Sequence, residues 1–464
     1  MKTCMPGKFG RHRFPVCFVA IALTSCGASG TYSPSTAATQ VRKVKQSSAR
    51  PNAERVLHDF GAPPDGQTPL AGLVEVNGEF FGTTYAGGEH GRGSVFEISA
   101  SGEERVLFSF RGVTKGRGSR DGANPAGSLI ADAAGNLYGT TEYGGDWLCG
   151  DEKNCGTVFE LRRQGDGYVE RKLYSFVGAV EGEYPVGGLV LGKNGVLYGT
   201  TTMGGSQSGA CFPVSCGTVF ALTPTGKGYR EQILHSFLGG TDGAYPTGTL
   251  IADDHGVIYG TTEFGGGGNP RCHSSPSGPE SCGMVYKITP GGFETVLHRF
   301  RGGMDGANPI AGLLWGENDH LYGVTDYGGG HGTRLGGGTV FELPSAGERP
   351  IEKILYRFCS VRKCTDGEHP ADSDGLRTDT NGDLYGTTQA GGDGTCQCGN
   401  AFVLRPSGSG YTEAVLHNFQ GNDGAQPYGG IVLAGKNAVF GTTAQGGSSS
   451  QCAHGCGVVY EIPP

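Results

Sequence analysis

Short runs in which apolar and polar residues alternate recur along the chain from Arg55 onward, and Gly, Pro, Asn and Asp separate one run from the next. Alternation with a period of two, bounded by turn-forming residues, is typical of β-strands that bury one face. The repeated part shows no apolar residues at the i, i+3, i+4 and i+7 spacing of an amphipathic helix. The pattern therefore predicts an all-β protein built from many short strands.

The strand-like runs belong to one unit that occurs seven times. In order, the unit has a Val-Leu-aromatic-x-Phe run, an Asp-Gly-x-x-Pro turn, a short apolar run, a Leu-Tyr-Gly-Thr-Thr run, a Gly-Gly pair and a Gly-Thr-Val-Phe-Glu-Leu run. Single copies vary, with Glu181 in place of the Asp in the third unit and Phe81 and Phe440 in place of the Tyr. Four short antiparallel strands per unit is the content of a propeller blade, and a repeat of this length is typical of propellers and solenoids. The phenylalanines that end the first run stand at positions 60, 110, 176, 237, 300, 358 and 419.

The order of strands within a blade follows from side-chain size. The run after the Asp-Gly-x-x-Pro turn is the richest in glycine, as in Pro185 to Leu189, and only small side chains fit where blades converge on an axis. We name this innermost strand A, the Leu-Tyr-Gly-Thr-Thr strand B, the Thr-Val-Phe-Glu-Leu strand C and the Val-Leu-aromatic-x-Phe strand D. Because the chain starts with a D and ends with a C, the sequence predicts a seven-bladed β-propeller closed by the N-terminal strand, which leaves no open sheet edge.

These landmarks resemble the GloVer repeat of "choice-of-anchor" bacterial surface proteins, and the resemblance covers residues 55–464. It implies a surface location and the repeat architecture, and it implies no particular reaction. Members of that family share the repeat and differ in their surface anchors, which agrees with the N-terminal segment of this chain.

The N-terminal segment has the features of an export signal. Four basic residues precede an apolar stretch at 14–23, which is too short to span a bilayer permanently. The stretch ends in Leu-Thr-Ser-Cys26, which resembles the lipobox of bacterial lipoproteins, whose cysteine is acylated and becomes the first mature residue. Ordinary cleavage near residues 28–30 is the alternative. The chain thus divides into a signal peptide at 1–26, a flexible Ser/Thr/Ala-rich linker at 27–52 and the propeller at 53–464.

The predicted location is the cell envelope, with acyl chains on Cys26 holding the protein at a membrane. Gly27 follows the cysteine, and the absence of Asp there resembles the default for outer-membrane sorting in Gram-negative lipoproteins. The net charge of −8, which becomes more negative when the basic signal is removed, disfavours nucleic acid as a partner. We expect a monomer at the outer membrane or cell surface that binds a glycan or a protein.

Three of the fifteen cysteines lie in the signal, and the other twelve form six local pairs. An even number of cysteines in an exported chain indicates disulfides, although two pairs that converged would offer a zinc site instead. Five pairs fall between Gly-Gly and strand C and one falls between strands D and A, so all six belong to one side of the propeller, which we call the loop-bearing face. The pairs are Cys149 with Cys155, Cys211 with Cys216, Cys272 with Cys282, Cys359 with Cys364, Cys396 with Cys398, and Cys452 with Cys456.

The polar residues that recur in the units are interpreted first as structural. The Asp of the Asp-Gly pair is expected to hydrogen-bond its own turn, and a ring of calcium or other cation sites near the channel mouth is the sharper alternative. His58, His235, His298 and His417 share one place in strand D that Phe or Tyr takes in the other units, which indicates packing. No cofactor is expected.

The sixth unit departs most from the pattern, with Asp372-Ser373-Asp374 inserted before Gly375 and Asp379 nearby. An acidic cluster facing inward would bind a metal or a sugar, whereas a bulge in a degenerate repeat is the plainer interpretation. No nucleophile elbow, zinc-protease, P-loop or dinucleotide motif is present, and we assign no catalytic residue.

Two functions from different classes remain open. The first is a non-enzymatic surface propeller that binds a glycan or protein partner through the variable loops of the loop-bearing face. The second is a propeller hydrolase or lyase that acts on a polysaccharide or a small ester at the channel mouth. Two or more carboxylates and a histidine converging at the mouth would favour the enzyme, and a mouth lined by Gly, Thr and Pro would disfavour it.

Overall fold

The computed structural model describes residues 54–464 apart from short loop segments. The segments left out of the description are 113–120, 147–148, 150–153, 207, 212–214, 268–271, 273–280, 331–334, 347–350, 371–373 and 409. The predicted signal peptide, the lipidation residue Cys26 and the linker lie outside the described residues. None of the described helices is long and apolar enough to cross a membrane.

Seven four-stranded antiparallel sheets follow one another as the blades of a propeller, which confirms the predicted fold. From blade 1 to blade 7, the A strands are Val74–Val76, Ile130–Ala131, Val190–Leu191, Ile251–Ala252, Leu314–Trp315, Arg377–Thr378 and Val432–Ala434. The B strands are Glu79–Thr84, Leu137–Thr141, Leu197–Thr201, Ile258–Thr262, His320–Thr325, Leu384–Thr388 and Ala438–Thr443. The C strands are Ser94–Ser99, Thr157–Gln164, Thr218–Thr225, Met284–Ile288, Thr339–Pro344, Asn400–Ser407 and Val458–Ile462. The D strands are Glu104–Ser109, Gly167–Ser175, Gly228–Ser236, Glu294–Arg299, Lys353–Arg357, Gly410–Asn418 and Arg55–Asp59.

Smaller elements lie between the blade strands in the described part of the chain. Short strand pairs join Gly66–Gln67 to Ala86–Gly87 and Gly122–Ala123 to Tyr143–Gly144. Single turns of 3-10 helix occupy Lys193–Gly195, Gly303–Asp305, Glu317–Asp319 and Arg362–Cys364.

The ring is closed by the first strand of the chain, as predicted. Strand D of blade 7 is Arg55–Asp59, and it pairs antiparallel with the last C strand, with Arg55 opposite Glu461 and Asp59 opposite Val458. Phe60 follows this strand and is fully buried. Blade 7 therefore combines strands from the two ends of the propeller and has no unpaired outer edge on its C strand.

The glycine-rich segment near the axis differs in one detail from the prediction. The residues assigned to strand A begin after this segment, so that Val190–Leu191 follows the run from Pro185 to Leu189. The glycines nevertheless touch their neighbours around the axis. A Cβ on Gly127 would lie 2.7 Å from the carbonyl oxygen of Gly187 in the next blade, and the equivalent distance from Gly429 to the carbonyl oxygen of Ala71 would be 2.5 Å. Only glycine permits this approach.

The Thr-Thr pair of strand B connects strands and blades. In blade 2, Thr140 donates to the carbonyl oxygen of Gly187 in blade 3 at 3.0 Å. Thr141 meets the Thr157 hydroxyl of strand C at 2.8 Å and donates to the carbonyl oxygen of Tyr143 at 2.7 Å. The pair therefore makes a cross-strand hydrogen bond, a turn hydrogen bond and a bond to the next blade.

Buried aromatic pairs between strands D and C join every blade to the next. The Phe that ends each D strand packs edge-on against an aromatic residue of strand C in the following blade, as Phe60 does against Phe96 with centroids 5.2 Å apart. The residue two positions earlier, His or another aromatic, packs edge-on against the same Phe, as His58 does at 4.8 Å. The packing role predicted for these histidines is confirmed. The other inter-blade pairs are Phe110–Phe159, Phe176–Phe220, Phe237–Tyr286, Phe300–Phe341, Phe358–Phe402 and Phe419–Tyr460.

The aspartates of the Asp-Gly turns accept hydrogen bonds from the backbone of their own turn, as expected. Asp65 accepts the N–H groups of Gly61 and Gly66 at 2.7 Å. The glycine of this pair takes positive φ in five of the seven turns, but Gly66 and Gly122 do not. At those two positions a Cβ would instead collide with the second Thr of strand B, Thr84 or Thr141. Close approach, more than backbone conformation, therefore requires glycine there.

Candidate functional site

The six predicted cysteine pairs all form disulfides, with Cα–Cα separations from 3.9 Å at Cys359–Cys364 to 5.7 Å at Cys211–Cys216. Even Cys396 and Cys398, with one residue between them, have their Cα atoms 5.1 Å apart. Every described cysteine sulfur is bonded to another sulfur, so the alternative of a cysteine zinc site has no ligands left.

The acidic residues singled out in blade 6 take separate positions. Asp372 lies outside the described residues. Asp374 is 8% exposed and reaches across the axis, where its carboxylate accepts hydrogen bonds from Ser128 of blade 2 and, at 3.2 Å, from Thr249 of blade 4. Asp379 lies beyond strand A, where it holds the A-to-B turn and accepts a hydrogen bond from Asn437 at 2.8 Å. Asp374 and Asp379 therefore have different partners at the two ends of one short strand.

Polar and aromatic side chains gather instead on the loop-bearing face around the propeller axis, and we call this region the axial mouth. Two repeated positions supply it: the residue directly after strand B, and the residue before the Pro of Asp-Gly-x-x-Pro. Strand B is next to the innermost strand, so both positions lie close to the axis. The first set is Tyr85, Glu142, Thr202, Glu263, Asp326, Gln389 and Ala444, and the second is Thr68, Asn124, Tyr184, Tyr245, Asn308, His369 and Gln426.

The backbone of these positions is the same in every blade. Each residue before the Pro has φ between 53° and 60°, the left-handed region that non-glycine residues rarely adopt. Its N–H donates to a carbonyl oxygen of the preceding blade, as Tyr184 does to Cys155 at 3.0 Å. Its own carbonyl oxygen accepts the N–H of the residue after strand B, as Tyr184 does from Thr202 at 3.1 Å. Such a conformation costs about 1–3 kcal/mol per residue and is retained only where its surroundings enforce it.

One side of the axial mouth is a tyrosine-carboxylate group from blades 1 to 3. The Tyr85 hydroxyl donates to the carboxylate of Glu142, which is 6% exposed, at 2.8 Å. The ring of Tyr143 packs edge-on against Tyr184 with centroids 5.4 Å apart. Burial and then the charge of Glu142 raise the pKa of both Tyr85 and Tyr143. These phenols therefore remain protonated hydrogen-bond donors at every physiological pH.

The other side of the axial mouth combines two carboxylates and a histidine from blades 4 to 6. His369 Nδ1 lies 3.0 Å from a carboxylate oxygen of Asp326, and the His369 ring packs edge-on against Tyr327 at 4.9 Å. Burial alone would lower the pKa of His369, but the hydrogen bond and charge of Asp326 outweigh it and raise that pKa. Burial, with a smaller contribution from Asp326, raises the pKa of Glu263 to about 8. Asp326 and His369 keep 15% and 18% of their side-chain surface exposed, so solvent reaches them.

Sequence reasoning missed this region because it set aside every position that recurs in all blades. The useful signal was variation of the side chain at a position that every blade repeats. The landmark residues around the axial mouth are repeated, whereas the residue before the Pro and the residue after Thr-Thr change from blade to blade. Repetition of the frame combined with variation of the side chain is the pattern of a binding surface on a rigid scaffold.

A cavity of about 790 Å³ lies at the outer edge of blade 1, away from the axis. Phe108 of strand D forms part of its wall, together with Asp121 and Glu170. Burial and then the charge of Asp121 raise the pKa of Glu170 to about 7.

Comparison with known proteins identifies the repeat. The family model described as the Gloeobacter/Verrucomicrobia repeat matches residues 52–272 and 267–464. No curated protein matches the sequence. Similar solved structures include proposed 6-phosphogluconolactonases from Bacteroides uniformis, with 14% identity and a TM-score of 0.48 over 81% of this chain and 89% of that one, and from Bacteroides fragilis, with 13% identity and a TM-score of 0.48 over 81% and 87%. A puromycin-hydrolysing peptidase of Mycobacterium tuberculosis has 13% identity and a TM-score of 0.47 over 84% of this chain and 52% of that one.

Proposed function

The chain belongs to the Gloeobacter/Verrucomicrobia repeat family, and we propose that it is an exported surface propeller that binds a carbohydrate at the axial mouth. The proposal rests on the residues at the two repeated positions of the axial mouth, directly after strand B and before the Pro of Asp-Gly-x-x-Pro. Bulky residues such as Tyr184, Tyr245 and His369 occupy a backbone conformation for which glycine or asparagine would be less strained. Stability alone would not select these side chains.

The chemistry of the axial mouth favours a sugar without acidic groups. Carboxylates and side-chain amides accept and donate hydrogen bonds to hydroxyls, and tyrosine offers a flat apolar ring with a polar end. The two repeated positions hold three carboxylates and no Lys or Arg. Neutral and amino sugars would find hydrogen-bond acceptors in Glu142, Glu263 and Asp326, whereas an acidic glycan would find no Lys or Arg at these positions to pair with.

The covalent structure supports the proposed compartment. Six disulfides on short loops indicate an oxidising, extracellular environment. We place the protein at the outer membrane or cell surface, with Cys26 lipidated, the 27–52 segment as tether, and the ligand a glycan of the envelope or the surroundings.

A glycan array followed by calorimetry on the exported protein tests the proposal. Asp326→Asn removes a charged acceptor worth about 1.5–3 kcal/mol, so affinity should fall roughly 10–100-fold, and Tyr85→Phe should also weaken binding. Asp254→Asn, which removes an exposed carboxylate from the A-to-B turn on the opposite face, is the matched control. If both mouth variants fold normally and bind every glycan as tightly as the unaltered protein, the ligand does not occupy the axial mouth.

Hydrolysis at the same place is the second candidate, and one observation favours it. Glu263, with its pKa near 8, would be protonated at neutral pH beside the Asp326–His369 pair, so an acid and a base would face one substrate. Chromogenic esters, lactones and glycosides test this directly. Glu263→Gln should abolish turnover and leave binding intact, whereas turnover that survives in Glu263→Gln and Asp326→Asn would eliminate this candidate.

A further inference from the structure

A second repeated set of carboxylates lies far from the axis, at the junctions between neighbouring D strands. Each D strand has a Glu four residues before its His, Phe or Tyr, either just before the strand or within it. Each of these glutamates has a carboxylate oxygen that is buried and accepts no hydrogen bond from the described residues. They are Glu54, Glu104, Glu170, Glu231, Glu294, Glu352 and Glu413.

At four junctions the Glu of one blade meets the His and the Asp-Gly aspartate of the preceding blade. Within the described part of the chain these clusters have their potential ligand atoms within 4.8 Å of one another. They are His58 with Asp65 and Glu104, His235 with Asp242 and Glu294, His298 with Asp305 and Glu352, and His417 with Asp423 and Glu54. The arrangement arises because neighbouring D strands present the same residues at a fixed offset around the ring.

The junction of blades 4 and 5 has the most enclosed cluster. His298 Nε2 lies 3.6 Å from Asp305 Oδ2 and 3.6 Å from Glu352 Oε2, and the Glu352 side chain is 5% exposed. Neither His298 Nε2 nor Glu352 Oε1 has a hydrogen-bond partner among the described residues. Buried polar atoms without partners are costly, and buried carboxylates in proteins are usually paired or bound to a metal.

The spacing and chemistry of the three groups fit a transition-metal ion. Zinc bound to nitrogen and oxygen ligands at about 2.0–2.1 Å in a tetrahedron places those ligands about 3.3 Å apart, close to the 3.6 Å found here. An imidazole among two carboxylates suits Zn²⁺ better than Ca²⁺ or Mg²⁺, which take oxygen ligands. Three protein ligands would leave the fourth position to water.

The remaining three junctions provide controls within the same molecule. There the histidine is replaced by Phe108, Tyr174 or Tyr356, and the phenols donate instead to Glu181 at 2.6 Å and to Asp366 at 3.0 Å. Packing against the Phe is shared by His, Phe and Tyr, and a shared proton between the two carboxyl groups would serve all seven junctions equally. Only at the four histidine junctions does a ring nitrogen also lie beside the Asp carboxylate, at 3.1 Å for His58 and 3.6 Å for His298. We propose that the four His-Asp-Glu junctions each bind one Zn²⁺ ion and that these ions bridge neighbouring blades.

Counting bound zinc tests the proposal. The exported protein is stripped with a chelator and dialysed against micromolar ZnCl₂, and the metal is measured by plasma mass spectrometry. We expect four ions per chain, three in His298→Phe, and four in Tyr356→Phe, the matched control at a junction without histidine. Cobalt in place of zinc should give visible absorption that is weaker by one quarter in His298→Phe.

A variant that adds a zinc site provides a second experiment, in which the expected result is a gain of bound metal and cannot arise from loss of stability. Phe108→His adds an imidazole beside Asp121 and Glu170, so bound zinc should rise from four ions to five. The proposal is overturned if His298→Phe and Phe108→His both bind the same number of ions as the unaltered protein, or if the stripped protein takes up no zinc under these conditions.

Discussion

Closure of the ring by the first strand makes Phe60 a critical residue for the whole propeller. Phe60 is fully buried and packs against Phe96 of blade 1 with ring centroids 5.2 Å apart. Phe60→Ala should cost about 3–5 kcal/mol, the range for truncating a fully buried phenylalanine. This is a large share of the roughly 5–15 kcal/mol by which most domains are stable. Phe293→Ala is the matched control, because Phe293 is 72% exposed and its truncation should leave stability within about 0.5 kcal/mol.

Equilibrium unfolding in guanidinium measures both variants. Circular dichroism follows all blades, and tryptophan fluorescence includes Trp315, which lies in strand A of blade 5 and so reports on a region far from the closure. If the ring unfolds as one unit, both signals should shift to the same lower midpoint in Phe60→Ala. Deleting residues 53–62 should likewise lower the stability of the whole domain. A deletion variant that melts within a degree or two of the unaltered protein would refute the closure argument, as would a cost of less than 1 kcal/mol for Phe60→Ala.

Three further outcomes are expected. Cys26→Ser should release the protein from membranes or block its maturation, and unchanged detergent-dependent membrane association would show that another element anchors it. All twelve mature cysteines should resist alkylation in the folded, exported protein, because disulfide sulfurs have no free thiol and each short disulfide stabilises the fold by roughly 2 kcal/mol. Intact mass before and after reduction counts the disulfides. Reactive thiols outside positions 396 and 398 would contradict this prediction. Burial and then the charge of Glu181 raise the pKa of Glu231 to about 7 in the folded state, so its contribution to stability is full below pH 4.5 and is lost as the pH rises through 7. Glu231→Gln should therefore raise the denaturant midpoint at pH 8 and leave it nearly unchanged at about pH 4, and equal shifts at both values would exclude this cause.

The blade, its four strands and the closure were predictable because the same alternation of buried and exposed positions occurs in seven copies of one unit. The Phe that ends each D strand and the Thr-Thr pair of strand B take the roles that their period and residue type indicate. The cysteine pairs were equally accessible, since each lies within one short loop. These features depend on contacts within a unit or on an interface that repeats identically.

The axial mouth and the D-strand junctions depend on contacts between units, which no single period reveals. His369 meets Asp326 only because blades 5 and 6 place the ends of different strands side by side. Glu352 meets His298 only because neighbouring D strands are offset around the ring. Asp374 reaches blades 2 and 4 across the axis, a contact with no counterpart in sequence spacing. The glutamate that recurs four residues before each His, Phe or Tyr of the D strands was visible in the sequence, but its contacts required the geometry of two blades.

The closing strand also imposes an order on biosynthesis. Arg55–Asp59 leaves the ribosome and the export machinery first, and its partner Val458–Ile462 follows roughly 400 residues later. During that interval the N–H and C=O groups of this first strand are unpaired, and when blade 7 is finally made its outermost position is still vacant. Two chains emerging together can exchange these strands, because the waiting segment of one fits the vacancy of the other. Slow synthesis or crowding at the export site should therefore raise the fraction of strand-swapped dimers, and dilution during folding should lower it.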